Sequence, residues 1–243
     1  LAVWLERLFE AVVSDPEAPI GSLEILDADE RRKILVDWND TAHLVPDATL
    51  PELFEAQVAK SPNATALIFE NERFTFAELN SRVNRIANHL IELNVGPEDV
   101  VALCLERSPE MVIAMLAVLK AGAAYLPLDP SYPADHLAFM IQDARPICLI
   151  TSTSVKSRFY GAARGRKQID DAMLLCLDTA LTHLALSKSS DSDPTDQERV
   201  QPLSPNNTAY IIYTSGSTGR TKGSSFNTPK CHVFFAVGNS TLR

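Results

Sequence analysis

The feature that most constrains the fold is a regular alternation of strand-like and helix-like segments between residues 64 and 151. The strand-like segments "VVALCL", "AAYLPLD" and "ICLIT" are almost wholly apolar, which is typical of strands covered on both faces. Between them lie segments such as "EMVIAMLAVLKA", which is apolar nearly all round and therefore fits a buried helix. This order predicts an α/β fold with a mostly parallel sheet flanked by helices.

Local signals in the sequence place the ends of several helices. Asp27, Thr49 and Thr75 are each followed three residues later by a glutamate, the capping-box pattern that begins a helix. Ser108 precedes a proline and predicts another helix start, and Gly122 predicts the end of that helix.

The flanking regions are less regular. "VWLERLFEAVV" near the start predicts a helix, "LEIL" a short strand, and the polar stretch "DTAHLVPD" a linker. Beyond residue 151 the alternation weakens. The basic stretch "KSRFYGAARGRKQ" and residues 184–207, which are rich in Ser, Asp and Pro, are interpreted as solvated loops.

Composition argues against several classes of partner. The chain carries 22 basic and 31 acidic residues, a formal net charge of −9, so it offers no electrostatic footprint for nucleic acid or an anionic membrane. No apolar run reaches the roughly 18 residues that span a bilayer, and the start shows no signal-peptide pattern. A cytoplasmic protein is expected.

The cysteines and histidines show no metal-ligand spacing. Cys104, Cys148 and Cys176 lie within apolar runs, where a free cysteine usually packs as a small core residue. The chain has four cysteines without a CxxC pair and five scattered histidines. The sequence therefore predicts no metal site.

A glycine-rich stretch, "TSGSTGRTKG" (214–223), follows the apolar segment "AYIIY". Glycines let the backbone approach a ligand closely, and successive amides with hydroxyl side chains form an anion-binding concavity. Lys222 adds a positive charge suited to a nucleotide phosphate. A Walker loop would need Gly at position 221 and Ser or Thr at 223, where this chain has Thr221 and Gly223. The stretch therefore predicts a polyphosphate site of another kind.

The segment "YTSGSTGRTKG" resembles the phosphate-loop signature of adenylate-forming enzymes, in particular the adenylation domains of nonribosomal peptide synthetases. Two further stretches agree in order and spacing: "FTFAELN" (74–80) resembles the first core motif of these domains, and "LKAGAAYLPLDPSYP" (119–133) resembles the second. The resemblance covers residues 38–223, and residues 1–37 resemble the tail of a condensation domain. It implies a condensation-domain tail at 1–37, a linker at 38–48, the N-terminal part of an adenylation subdomain at 49–223 and a non-matching tail at 224–243.

The resemblance also implies a reaction and its partners. An amino-acid carboxylate attacks ATP to give an aminoacyl-adenylate and pyrophosphate, with Mg²⁺ assisting, and the aminoacyl group passes to the phosphopantetheine thiol of a carrier domain. Lys222 would neutralise charge on the leaving pyrophosphate. The implied phosphate-binding residues are Thr214, Ser215, Gly216, Ser217, Thr218, Gly219 and Lys222. The carrier and condensation domains of a synthetase, within secondary-metabolite biosynthesis, would be its partners.

The match ends soon after the glycine loop. Thr228 stands where the family has a histidine, and the family's ligands for the α-amino group, the ribose and the adenine, and its assisting lysine, have no counterpart in this sequence. No catalytic residue is therefore assigned, and the chain alone is expected to be inactive. Two alternatives stay open: part of an acyl- or aryl-acid adenylating ligase, or a truncated non-catalytic protein.

Overall fold

The structure is a computed structural model that describes residues 2–40, 47–162, 174–215 and 221–227. Residue contacts divide the chain into a first unit, Leu1–Leu44, and a second unit, Val45–Arg243. The first unit contains helices α1 (Ala2–Ser14) and α2 (Ala28–Leu35) and two 3-10 turns, Ile20–Ser22 and Asp37–Asn39. The strand predicted for "LEIL" is wrong, because residues 23–26 form no strand and no neighbouring strand in the described part of this unit could pair with them.

Polar side chains join the two helices of the first unit. The guanidinium of Arg7 lies 2.8 Å from Asp27 Oδ2 and also bonds Glu30, and Trp4 Nε1 donates to Glu30 Oε1 at 3.0 Å. Hydrogen bonds from the Asp27 backbone N–H, from Trp4 and from Arg7 lower the pKa of Glu30 to about 2. The capping box predicted at Asp27 is confirmed.

The second unit contains the remaining elements. Its helices are α3 (Leu50–Lys60), α4 (Phe76–Glu92), α5 (Pro109–Ala121), α6 (Ala134–Ala144), α7 (Thr153–Ala162) and α8 (Ala180–Leu186). Its strands are β1 (Thr65–Phe69), β2 (Glu72–Thr75), β3 (Val100–Cys104), β4 (Ala124–Pro127), β5 (Cys148–Thr151), β6 (Leu174–Cys176), β7 (Thr208–Ser215) and β8 (Thr221–Asn227).

Two sheets form from these strands. β1 and β2 make an antiparallel hairpin, and the other six strands form one sheet in the order β6-β5-β3-β4-β7-β8. All neighbours in the larger sheet are parallel except β7 and β8, which are antiparallel. The predicted α/β fold with a mostly parallel sheet is confirmed.

Helices cover both faces of the larger sheet, as the apolar strands require. Val101 and Leu103 of β3 pack on one face with α4 and α5, and Ala102 and Cys104 pack on the other face with α6. Alternate residues of one strand thus enter two different cores, which explains why β3 has almost no polar side chain.

The helix ends predicted from local signals are confirmed. The side chains of Thr49 and Thr75 each accept the backbone N–H three residues on in a complete capping box. Ser108 caps α5, and Gly122 ends it with φ +98°, a left-handed conformation that favours glycine.

Beyond residue 151 the structure is more regular than the sequence suggests. The interpretation of residues 156–168 as a solvated loop is wrong for 156–162, which belong to α7, while 163–168 lie outside the described residues. Strand β6 and helix α8 were not predicted. Val155 and Leu175 are buried in the two cores, so long-range packing rather than local pattern stabilises this region.

A buried lysine holds the polar segment 187–207 against the helices. Lys120 is 1% exposed, and its Nζ contacts Asn80 Oδ1 at 2.8 Å, Asn84 Oδ1 at 2.8 Å and Asp193 Oδ1 at 2.5 Å. These three bonds use the three hydrogens of the ammonium, so Glu55, whose Oε1 is 2.9 Å away, makes an ion pair without a hydrogen bond. Apart from 184–186, which are part of α8, residues 184–207 are a loop as predicted, but much of it is bound to α4 and α5.

Candidate functional site

A crevice lies where the connections of the parallel sheet change direction. The chain leaves β3 through α5 on one face and returns at β4, and it leaves β4 through α6 on the opposite face to reach β5 on the far side of β3. In open α/β sheets, ligands bind beyond the carboxyl ends of the strands at such a point. The carboxyl ends of β3 and β4 are therefore the favoured location for a site.

A cavity of about 470 Å³ occupies this position. Residues 105–107, which follow β3, and residues 127–132, at and beyond the end of β4, form two of its walls. Met111 of α5 and Met140 of α6 contribute from the two faces, and Ile212 and Tyr213 of β7 close another side. The volume is in the range of small-molecule sites.

Charged groups lie at the mouth of the cavity. Asp129 Oδ1 accepts the backbone N–H of Ser131 at 2.8 Å. Hydrogen bonds from Ser131, helped by the positive charge of Arg107, hold the pKa of Asp129 below its usual value. The cavity thus combines apolar side chains with one cation, Arg107, and two carboxylates, Glu106 and Asp129, of which Asp129 stays ionised at neutral pH.

Hydrogen bonds to Glu98 hold the first residues of strand β7, and the strand then runs toward this cavity. The carboxylate of Glu98 accepts hydrogen bonds from Asn207 Nδ2 at 3.0 Å and from the Thr208 hydroxyl at 3.2 Å. Farther along, the ring of Tyr210 stacks between Tyr125 of β4, at 5.5 Å, and Phe226 of β8, at 4.9 Å between centroids. This aromatic ladder binds three adjacent strands together.

Three of the predicted phosphate-binding residues, Thr214, Ser215 and Lys222, lie at the carboxyl end of β7 and the start of β8. β7 ends at Ser215, β8 begins at Thr221, and the backbone register pairs Thr214 with Lys222. The structure therefore brings Thr214, Ser215 and Lys222 together at one end of a hairpin, and Thr214 is exposed. Gly216, Ser217, Thr218 and Gly219 lie outside the described residues. Because β7 is parallel to β4, this end lies at the edge of the sheet that carries the cavity.

Sequence reasoning missed the residues that build the cavity. "AAYLPLD" was interpreted as a strand covered on both faces, yet Asp129 at its end lines the cavity. Arg107, which lines the cavity, and Asp143, which contacts Tyr213, carried no signal, because their positions depend on strand order and not on local pattern. Tyr213 could have been noticed, since it immediately precedes the glycine loop.

Tyr213 makes a short polar contact at the edge of this cavity. Its hydroxyl donates to Asp143 Oδ2 at 2.6 Å, and its ring meets that of Phe139 edge-on at 6.3 Å between centroids. Burial and the neighbouring carboxylate of Asp143 raise the pKa of Tyr213 above its ordinary value. The phenol therefore stays protonated and remains a donor at neutral pH.

Within the described ranges, no group of three or more His, Cys, Asp or Glu side chains is arranged to hold a metal ion. Mg²⁺ commonly binds to one or two carboxylates together with substrate phosphates, so a magnesium–nucleotide complex does not require such a group of side chains. The search for membrane-spanning helices among the described residues finds none.

Comparison with known proteins identifies relatives of this chain. The model of the family "AMP-binding enzyme" matches residues 54–230. The dimodular nonribosomal peptide synthase of Bacillus subtilis (strain 168) is 48% identical over 223 residues, which are 92% of this chain and 9% of that protein. Malpinin synthetase of Mortierella alpina is 40% identical over 220 residues, 90% of this chain and 3% of that protein. This chain thus spans a small part of the relatives that it matches.

Solved structures also match. The nonribosomal peptide synthetase FmoA3, in a form with bound α-methyl-L-serine-AMP, superimposes with a TM-score of 0.69 at 27% identity, over 92% of this chain and 24% of that chain. The N-terminal subdomain of NpsA from Klebsiella oxytoca superimposes with a TM-score of 0.59 at 25% identity, over 74% of this chain and 42% of that chain. The region matched is therefore the N-terminal part of an adenylation domain.

Proposed function

Because the chain belongs to the AMP-binding enzyme family, we propose that it supplies the nucleotide-binding edge of an adenylation domain that activates an amino-acid carboxylate with ATP. The observation that carries the proposal is the position of Thr214, Ser215 and Lys222: they lie together at the carboxyl end of β7, at the edge of the sheet where the cavity lies. The similarity to peptide synthetases favours an amino acid as substrate over other carboxylic acids.

Residues 214–219 and Lys222 would contribute to the reaction through electrostatic stabilisation. A carboxylate oxygen forms a bond to the α-phosphorus of ATP while the bond from that phosphorus to the pyrophosphate oxygen breaks. The hydroxyls and backbone amides of 214–219 bind the β- and γ-phosphates, and Lys222 offsets the negative charge that grows on the departing pyrophosphate. A bound Mg²⁺ would neutralise further phosphate charge. The role of the protein is to hold the phosphates in line for attack.

The proposed partners follow from the same family. The aminoacyl group would pass to the phosphopantetheine thiol of a carrier domain, within a synthetase that also contains a condensation domain. Residues 1–37 would be the tail of that condensation domain, residues 38–48 a linker, residues 49–223 the adenylation part and residues 224–243 a separate tail. The Bacillus synthase supports this division. It matches 223 residues of this chain, whereas the family model matches residues 54–230. The 13 residues after position 230 are too few to supply the difference, so the match to the synthase includes part of residues 1–53. A cytoplasmic location, where ATP is available, belongs to the same proposal.

The 243-residue chain is expected to bind magnesium–ATP without catalysing adenylation. It carries the phosphate-binding residues, so it should bind magnesium–ATP weakly. It has no counterpart of the family's ligands for the ribose, the adenine and the α-amino group, so it should not adenylate by itself, because positioning supplies most of the rate enhancement.

Isothermal titration with magnesium–ATP tests the binding part. Wild-type protein should bind, and Lys222→Ala should weaken the affinity about tenfold or more, since a hydrogen bond to a charged group contributes ~1.5–3 kcal/mol. Lys188→Ala is the matched control, because Lys188 is an exposed lysine of the polar segment and its loss should leave the affinity unchanged. Equal affinities for all three proteins would refute the proposed site. Amino-acid-dependent ATP–pyrophosphate exchange above the level of Lys222→Ala would refute the expected lack of turnover.

A further inference from the structure

The carboxyl end of β7 is joined to the sheet by few backbone contacts. The register between β4 and β7 contains a single residue pair, Tyr125 with Tyr210. Beyond that pair, residues 211–215 of β7 pair with β8 and with no other strand among the described residues. The position of Thr214 and Lys222 relative to the cavity therefore depends on side-chain contacts.

Tyr213 supplies the contact nearest to the loop. It precedes Thr214 directly, and its hydroxyl donates to Asp143 Oδ2 on α6 at 2.6 Å. The acceptor is a carboxylate, and charge-assisted bonds of this kind are short and stronger than neutral ones. The same ring lies edge-on to Phe139, one turn earlier on α6. One side chain thus links the end of β7 to a helix that packs on the sheet.

Gly223 explains how the ring is seated. Gly223 is paired with Tyr213 across the hairpin, and a Cβ at this position would lie 3.1 Å from Cζ of the tyrosine ring. Such a contact is too close for most side chains, so the ring occupies the space that glycine leaves free. A ring held at its hydroxyl by Asp143 has little freedom to move aside. The last glycine of the signature therefore leaves the space that the ring of Tyr213 occupies.

We propose that Tyr213 is a positioning residue for the nucleotide loop, with its ring seated over Gly223 and its hydroxyl anchored to Asp143. The anchor fixes the carboxyl end of β7, and with it Thr214 and Lys222, against the cavity. The inference rests on the proposed function for its consequence in nucleotide binding, but the anchor itself can be tested without a nucleotide.

The first measurement is amide hydrogen exchange in the 243-residue chain. Tyr213→Phe keeps the ring and removes the donor, while Asp143→Ala removes the acceptor. Each should speed exchange at the loop-proximal ends of β7 and β8 about tenfold, as expected for loss of one charge-assisted hydrogen bond. Exchange in the central strand β3 should stay unchanged. A general loss of stability would instead speed exchange in β3 as well as at the ends of β7 and β8. Gln142→Ala, an exposed neighbour of Asp143 on α6, is the control and should change neither.

A double variant separates a direct contact from two independent effects. Tyr213→Phe combined with Asp143→Ala should accelerate exchange no more than either change alone, because both remove the same bond. Additive acceleration would overturn the proposal. Gly223→Ala should also loosen the hairpin end, because the added methyl displaces the ring. If Gly223→Ala exchanges its amide hydrogens at the wild-type rate, the proposed packing of the Tyr213 ring over Gly223 is wrong.

The second measurement is the affinity for magnesium–ATP. Tyr213→Phe should weaken binding about threefold to tenfold at an unchanged urea midpoint, because the loop residues are no longer held in place. If wild-type protein does not bind magnesium–ATP, the proposed function fails while the exchange results still decide the anchor. If wild type binds and Tyr213→Phe binds equally well with unchanged exchange, Tyr213 is not a positioning residue.

Discussion

Replacing Lys120 with methionine removes a charge from the centre of the second unit while preserving most of the side-chain volume. The ammonium is 1% exposed and bonds acceptors on α4 and on the polar segment 187–207. Asn84, also 1% exposed, keeps its Nδ2 hydrogen bonds, but its Oδ1 would lose the bond from Lys120 without gaining water. The side chain of Asp193 is 45% exposed and can be rehydrated in part.

The magnitude follows from these exposures. Removing one partner of a buried ion pair costs about 3–5 kcal/mol, and the partial exposure of Asp193 favours the lower end. We therefore expect a loss of about 3 kcal/mol in the free energy of unfolding, which corresponds to roughly 6–12 °C in Tm for a chain of this size. The loss should also release the polar segment that Lys120 binds.

Urea denaturation followed by far-UV circular dichroism measures this effect. Tryptophan fluorescence is unsuitable, because Trp4 and Trp38 both lie in the first unit. Lys188→Met is the matched control, an exposed lysine whose loss should change the free energy of unfolding by less than about 0.5 kcal/mol. A loss below about 1 kcal/mol for Lys120→Met, or one equal to the control, would refute the argument.

Three further predictions concern the same unit. Burial raises the pKa of Asp193, but hydrogen bonds, the one from Lys120 foremost, outweigh burial and leave this pKa below its usual value. The free energy of unfolding should therefore fall as pH drops below about 4. Acid titration of Asp193→Asn should show a smaller fall than that of wild type. Gly122→Ala should destabilise by about 2 kcal/mol in urea, because φ is +98° and the new Cβ would lie 2.9 Å from Leu203, whereas a neutral result would contradict the close packing. Burial raises the pKa of Cys148 to about 11, so a thiol reagent at pH 8 should label it at the rate of unfolding, and rapid labelling of native protein would show that the thiol is accessible.

Local signals were sufficient for the elements that local chemistry determines. The capping boxes at Thr49 and Thr75, the cap at Ser108 and the glycine stop at Gly122 all depend on residues within one turn of each other, and each was predicted. The apolar strands β3, β4 and β5 were predicted because their burial on both faces leaves a continuous apolar run.

Elements stabilised by distant partners were missed. β8 is mostly polar, with Phe226 as its one apolar side chain, and its strand conformation follows from its pairing with β7. α8 begins after a short strand and carries the exposed apolar residues Leu181 and Leu184, so its sequence lacks a clear amphipathic pattern. The contact between Lys120 and Asp193 joins positions 73 residues apart, a distance at which sequence spacing carries no information.

The candidate site divides in the same way. Glycines, hydroxyls and a lysine after an apolar strand form a compact local pattern, so the sequence alone predicts a polyphosphate site there, and this assignment stays a prediction. The cavity could not be predicted, because it depends on β4 and β5 lying on opposite sides of β3. The anchor of Tyr213 on Asp143 depends on that order as well, since it brings α6 beside β7.

The most direct test of the central claim is to locate magnesium–ATP on the chain by backbone NMR. If the carboxyl end of β7 is the polyphosphate site, perturbed amides should cluster at residues 213–223 and at residues 105–107 and 127–132 of the adjoining cavity. A second cationic surface provides the contrast: a cavity of about 420 Å³ beside α4 and α5 is lined by Arg82 and Arg85. Perturbations that centre on these arginines and leave 213–223 unchanged would contradict the account.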